Sequence, residues 1–115
     1  MKNLFSIENS EIPYSEIAEK MVLSTILLDN KVIYLVSQKL NIEAFYLKKN
    51  QTIYKACLDL YNQGKVIDVV TVINLLKTKN IFDECGGNEY ISEILEQITN
   101  IESLDEYCSL IQEKY

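Results

Sequence analysis

The chain has 115 residues, and its 17 acidic residues against 11 lysines, with neither arginine nor histidine, give a net charge of −6. At 48% hydrophobic and 24% charged it can bury a core, which excludes a disordered tail, and its length bounds it to one domain or one domain with an appendage. The acidic balance without a basic stripe argues against gripping DNA directly, because phosphate binding needs clustered cations; only Lys48-Lys49 and the Lys77/Lys79 pair are candidates.

Residues 1–12 read as an irregular N-terminal arm ending at Pro13. Ser15 is the expected N-cap of a first helix over about Glu16–Leu28, with Glu16 near its positive end. That helix is apolar on more than one side, through Ile17, Ala18, Met21, Val22, Leu23, Ile26, Leu27 and Leu28, so it belongs in the middle of a bundle. Asp29-Asn30 recaps the chain for a second helix carrying Val32, Ile33, Leu35, Val36 and Leu40. In the loop 41–50, Phe45 and Tyr46 are expected to plug the end of the bundle.

Ile53, Tyr54, Cys57, Leu58 and Tyr61 form the apolar face of a third helix, closed by Gly64 with its tolerance of positive φ. Asp68 is placed to cap a fourth helix by accepting the backbone N–H groups around Val70 and Thr71. Val69, Val72, Ile73 and Leu76 are its stripe, and Asn80 closes it. Gly86-Gly87 turns the chain into a fifth helix striped by Tyr90, Ile91, Ile94, Leu95 and Ile98. Ser103 to Glu106 reads as a capping box for a sixth helix with Leu104, Tyr107, Cys108, Ile111 and Tyr115.

One proline and three glycines are few for a β-rich domain, so the expected fold is all-α. It is read as a small helical bundle over 13–86 followed by a C-terminal helical hairpin over 87–115. The hairpin has more apolar surface than its own seam consumes. The surplus packs either on the chain's own bundle or on a second copy; on the latter reading Tyr90, Ile91, Ile94, Leu95, Ile98, Leu104, Tyr107 and Ile111 form an oligomer interface.

Catalytic chemistry has little to stand on. Gly64-Lys65 is followed by Val66, not Ser or Thr, and no earlier glycine completes a phosphate-binding loop. Without histidine the usual neutral-pH base is missing, and carboxylate pairs such as Glu16/Glu19 or Asp105/Glu106 read as surface charges near helix N-termini. Cys57, Cys85 and Cys108 are far apart without a CxxC spacing, so neither a zinc site nor a disulfide framework is expected, and Cys57 and Cys108 read as small buried hydrophobes. No run approaches the ~20 apolar residues of a membrane span, and the start shows no secretion signal.

With the helices placed, the pattern resembles the N-terminal domain of the DnaB-type replicative DNA helicase, from Pro13 to the end. Pro13, Ala18-Glu19, Val22-Leu23 and Ile26-Leu27-Leu28-Asp29 match its opening, and Phe45-Tyr46 its F-Y. Ile53-Tyr54, Ala56, Leu60, Gly64, Ile67-Asp68 and Thr71-Val72 follow in order, then Gly86-Gly87 with Tyr90, and Asp105 with Tyr107. Ser24, Asn50 and Asn80 stand where glycine, histidine and glycine are common, and Thr99 replaces a frequent proline.

The resemblance implies a collar domain of a hexameric helicase, mediating oligomerisation and receiving primase and a helicase loader. The parent would unwind DNA 5′ to 3′ with ATP and Mg²⁺ through a separate C-terminal motor that also makes the DNA contacts. No cofactor or metal is then expected in this segment, which reads as a piece of a longer protein in a bacterial cytoplasm or an organelle stroma such as a plastid's. The alternative is a free-standing helical adaptor, such as a primase-type helicase-binding domain with no motor.

Overall fold

A computed structural model describes the backbone of residues 11–97 and 103–114 and the side chains of 16–97 and 103–112. The described residues form six α-helices and two short 3₁₀ turns, without a strand among them, in agreement with the all-α expectation. The helices are α1 (Glu11–Leu28), α2 (Ile33–Lys39), α3 (Lys48–Asn62), α4 (Val69–Thr78), α5 (Gly87–Leu95) and α6 (Leu104–Lys114).

The greasy first helix is the axle. Ala18, Val22, Leu23, Ile26 and Leu27 are all buried, and α3, α5 and α6 pack around α1. A helix apolar on several sides loses least by contacting several neighbours at once. It begins earlier than expected: Glu11 and Ile12 are already helical, and Ser15 lies inside α1 instead of capping it. Pro13 falls in the first turn, where its missing N–H has no intrahelical partner to lose.

The turns follow their local chemistry closely. Asp29 caps the 3₁₀ turn Asn30–Val32 by accepting from Lys31 N, and Asn41 caps Ile42–Ala44 by accepting from Ala44 N. Asp68 and Thr71 make a reciprocal capping box, with Thr71 N on Asp68 Oδ1 and Asp68 N on Thr71 Oγ1, both at 2.9 Å. Gly64, at φ +71°, ends α3 in a Schellman arrangement: Lys65 N donates to Leu60 O and Gly64 N to Tyr61 O. Asn80 (φ +61°) repeats it at the end of α4, as its position predicts.

Two further expectations need correction. First, α3 starts at Lys48, inside the segment read as a loop, and only Phe45 plugs the core, while Tyr46 is 58% exposed. Second, Tyr61 and Leu35 leave their expected stripes and stand 40% and 51% exposed.

The surplus apolar surface of the last two helices has a partner within the chain. Helices α5 and α6 both lie on α1, which is the main neighbour of α6. Ile91, Ile94, Leu104, Cys108 and Ile111 join the same core as Phe45, Tyr54 and Leu76. The physical reason is α1 itself, whose several apolar sides need more partners than helices α2 to α4 supply. The connection at 98–102 and Tyr115 lie outside the described residues.

Candidate functional site

Inside the core sits a polar centre. Glu19 belongs to the same stripe of α1 as Val22, Leu23 and Ile26, and is only 1% exposed, which corrects its reading as a surface charge. Its carboxylate accepts from Tyr46 N at 2.6 Å, Asn50 Nδ2 at 2.6 Å and Leu47 N at 3.5 Å. Leu47 occupies the N-cap of α3 and cannot cap it with its own side chain. Glu19 therefore does so from another helix, placing negative charge at the positive end of α3.

Asn50, fully buried, completes the link. Its amide N–H₂ faces a carboxylate that only accepts, so its carbonyl must face the Tyr90 hydroxyl, which donates to it. One hydrogen-bonded chain thus ties α5 to α3 to α1. Lys49 Nζ lies 3.8 Å from the Tyr90 ring centroid, and Lys20 bonds Glu93 at 3.2 Å alongside. Burial pushes the Glu19 carboxyl above its ordinary value, against the pull of the Asn50, Tyr46 and Leu47 donors, and Glu16 adds repulsion. Burial likewise raises the Tyr90 hydroxyl.

This centre was legible only in part. An acid on the apolar stripe of a central helix, and an asparagine three and four residues before Ile53 and Tyr54, were the available signals. A nearby flaw is Ser24, whose buried Oγ has no hydrogen-bond partner among the described residues.

Of the eight candidate interface residues, seven fall among the described residues. Tyr90, Ile91, Ile94, Leu104 and Ile111 are buried in the chain's own core, with Ile94 and Ile111 at 0% exposure, while Leu95 and Tyr107 are half-buried against it. Ile98 lies outside the described residues. Of the caps and turns, Gly64 follows α3, Asp68 is the N-cap of α4, Gly86 and Gly87 open α5, and Ser103 directly precedes α6.

The cysteines are inert in this setting. Burial raises the Cys57 thiol to about 12 and the Cys108 thiol to about 11, so both stay protonated at neutral pH. No group of three His, Cys, Asp or Glu side chains gathers to hold a metal among the described residues. None of the described helices is long and apolar enough to cross a membrane.

Two depressions mark the described surface. Where the 3₁₀ turn Asn30–Val32 meets the end of α3, a groove of about 360 Å³ is lined by Asn30, Lys31, Ile33, Tyr61, Gly64, Lys65, Val66 and Ile67. Asn30 Nδ2 donates to Ile67 O across its floor. A second depression, of about 470 Å³, lies along α6 between Asp105, Glu106, Tyr107, Ser109 and Leu110.

Comparison with known proteins agrees with this architecture. Residues 11–113 match the family model described as the DnaB-like helicase N terminal domain. A probable replicative DNA helicase of Trieres chinensis is 36% identical over 104 residues, covering 90% of this chain and 23% of the relative. Replicative DNA helicase DnaC of Bacillus subtilis is 32% identical, over 92% of this chain and 24% of that protein. The chain thus spans about a quarter of the length of these curated relatives. The crystal structure of the N-terminal domain of DnaB helicase from Mycobacterium tuberculosis superposes with a TM-score of 0.80 at 32% identity, covering 85% of this chain and 71% of that one. In helical architecture and in sequence, the chain belongs to the DnaB-like helicase N-terminal domain family.

Proposed function

We propose that this chain is the assembly and docking domain of a hexameric replicative DNA helicase. It brings subunits together and receives primase and a helicase loader, while a motor domain elsewhere in the parent unwinds DNA 5′ to 3′ with ATP and Mg²⁺. The residues described do not fit a nucleotide: the glycine-lysine step at 64–65 runs into Val66 and ends α3 as a helix stop, so no catalytic step is assigned to them.

The observation that carries the reading is apolar exposure on an otherwise closed fold. Leu28, Tyr34, Leu35, Tyr46, Val66 and Val70 stand between 51% and 66% exposed, while the core around α1 is complete without them. Contacts with other proteins are what such side chains serve best. Light scattering of the chain across concentration, alone and with a primase helicase-binding domain, tests this. Concentration-dependent mass and saturable primase binding are expected; a monomer at every concentration that ignores primase would overturn it.

A further inference from the structure

We infer that the Glu19–Asn50–Tyr90 chain is a latch on α5, and that α5 is a separately releasable helix, able to leave the bundle while α1, α3, α4 and α6 stay packed. Few ties hold α5 in place. It packs chiefly on one helix, α1, whereas α1 itself gathers α3, α5 and α6. Ile91 and Ile94 are its buried aliphatic side chains. Among the described residues, two hydrogen bonds join its side chains to other helices. In one, Lys20 donates to Glu93 at 3.2 Å on the exposed surface, where water screens the pair. The other, from the Tyr90 hydroxyl to Asn50, is buried.

The buried tie is prepared from its far side. The Glu19 carboxylate accepts from Asn50 Nδ2 at 2.6 Å and so turns the Asn50 carbonyl towards Tyr90. Lys49 of α3 lies over the same ring, 3.8 Å from its centroid. The turn before α5, by contrast, is suited to a hinge. Gly86 and Gly87 stand at φ +105° and +62°, and Gly86 occupies the N-cap with no side chain to anchor the helix. Two adjacent glycines re-orient at little steric cost. The starts of α3 and α4 are held instead, by Glu19 and by the Asp68–Thr71 capping box. Release of α5 bares Ile91 and Ile94, 4% and 0% exposed while docked, so the latch governs apolar surface that the closed fold hides.

Native-state amide hydrogen exchange of the full chain, followed residue by residue by NMR over a urea series, tests it. Amides of Ile91 to Leu95 should exchange through an opening that depends less on urea than the one that frees Val22 to Leu27 of α1 and Ile73 to Leu76 of α4. Tyr90→Phe keeps the ring but leaves the Asn50 carbonyl unpaired, so it should speed exchange in α5 roughly tenfold. Lys20→Met, which removes the exposed pair, should speed it by less than about threefold. Val72→Ala, buried on α4, should speed exchange in α4 while leaving α5 within about twofold of wild type, because release of α5 spares that packing. Amides of α5 that share the urea dependence of α1 and α4, or that follow Val72→Ala, would overturn separate release. A Tyr90→Phe chain that loses its whole fold would do the same, since a latch on α5 alone leaves the other helices standing. Unchanged α5 exchange in Tyr90→Phe, or a larger effect of Lys20→Met, would overturn the latch. The urea series needs only the wild type, and Ile73→Val replaces Val72→Ala should that variant not fold.

Discussion

At the scale of single residues, the buried Glu19 carries two opposed influences. Three donors favour its ionised form, and desolvation favours the neutral one, with the balance above the ordinary value. A carboxyl whose folded pKa exceeds its unfolded value binds protons more tightly in the folded state. Its contribution is then fully present below the unfolded value and is lost as pH rises through the folded one. The stability of wild type relative to Glu19→Gln should therefore fall as pH rises above the ordinary carboxyl value, and level off once the folded carboxyl has ionised. Urea midpoints of both proteins across that range measure it, and a gap that widens with pH would mean that the donors win. Asp59 acts oppositely. Burial would raise it, but Lys79 at 3.0 Å and Lys55 at 3.4 Å hold it below its ordinary value, so its smaller, solvent-screened contribution disappears as pH falls.

At the scale of elements, Gly64 and Gly86 are not equivalent. A Cβ at Gly64 would meet nothing within 4 Å, so Gly64→Ala bears only the left-handed strain of φ +71°, about 1–2 kcal/mol. At Gly86, with φ +105°, the added Cβ would lie 2.3 Å from the Cβ of Tyr90, which is the root of that side chain and cannot swing aside. Tyr90 is also held through its hydroxyl on Asn50. Gly86→Ala should consequently cost roughly 3 kcal/mol or more, through strain plus displacement of α5. Chemical denaturation of the pair compares them directly, and equal losses would show that the turn before α5 yields more than its geometry implies.

At the scale of the whole molecule, α1 decides where α5 and α6 go. Ile94 and Ile111 are buried to 0% in one continuous core, so Ile94→Ala and Ile111→Ala should each lower stability by about 2–5 kcal/mol. Because the loss is internal packing, it should appear at every protein concentration. Thermal unfolding over a wide concentration range checks this, and a deficit confined to concentrations at which wild type associates would return these residues to an interface between copies.

How much of this was legible beforehand follows from the range of each interaction. Caps and stops are local: Asp68 reaches Thr71 three residues on, and Gly64 closes the helix it follows, so their positions could be read directly. The start of α3 was less clear, because its cap comes from Glu19, 28 positions before Leu47. Periodicity located the apolar stripes of α5 and α6 but could not name what covers them, since a stripe buried on α1 and one buried on another chain have the same spacing. The partnership of Glu19, Asn50 and Tyr90 is also long-range, spanning α1, α3 and α5, and each of the three reads on its own as an ordinary residue. The sequence alone thus determined an all-helical chain with its turns and its family likeness. Only the tertiary structure decided that α1 is the axle, that the last two helices belong to its core, and which apolar side chains stay exposed, because those outcomes depend on contacts between residues remote in the chain.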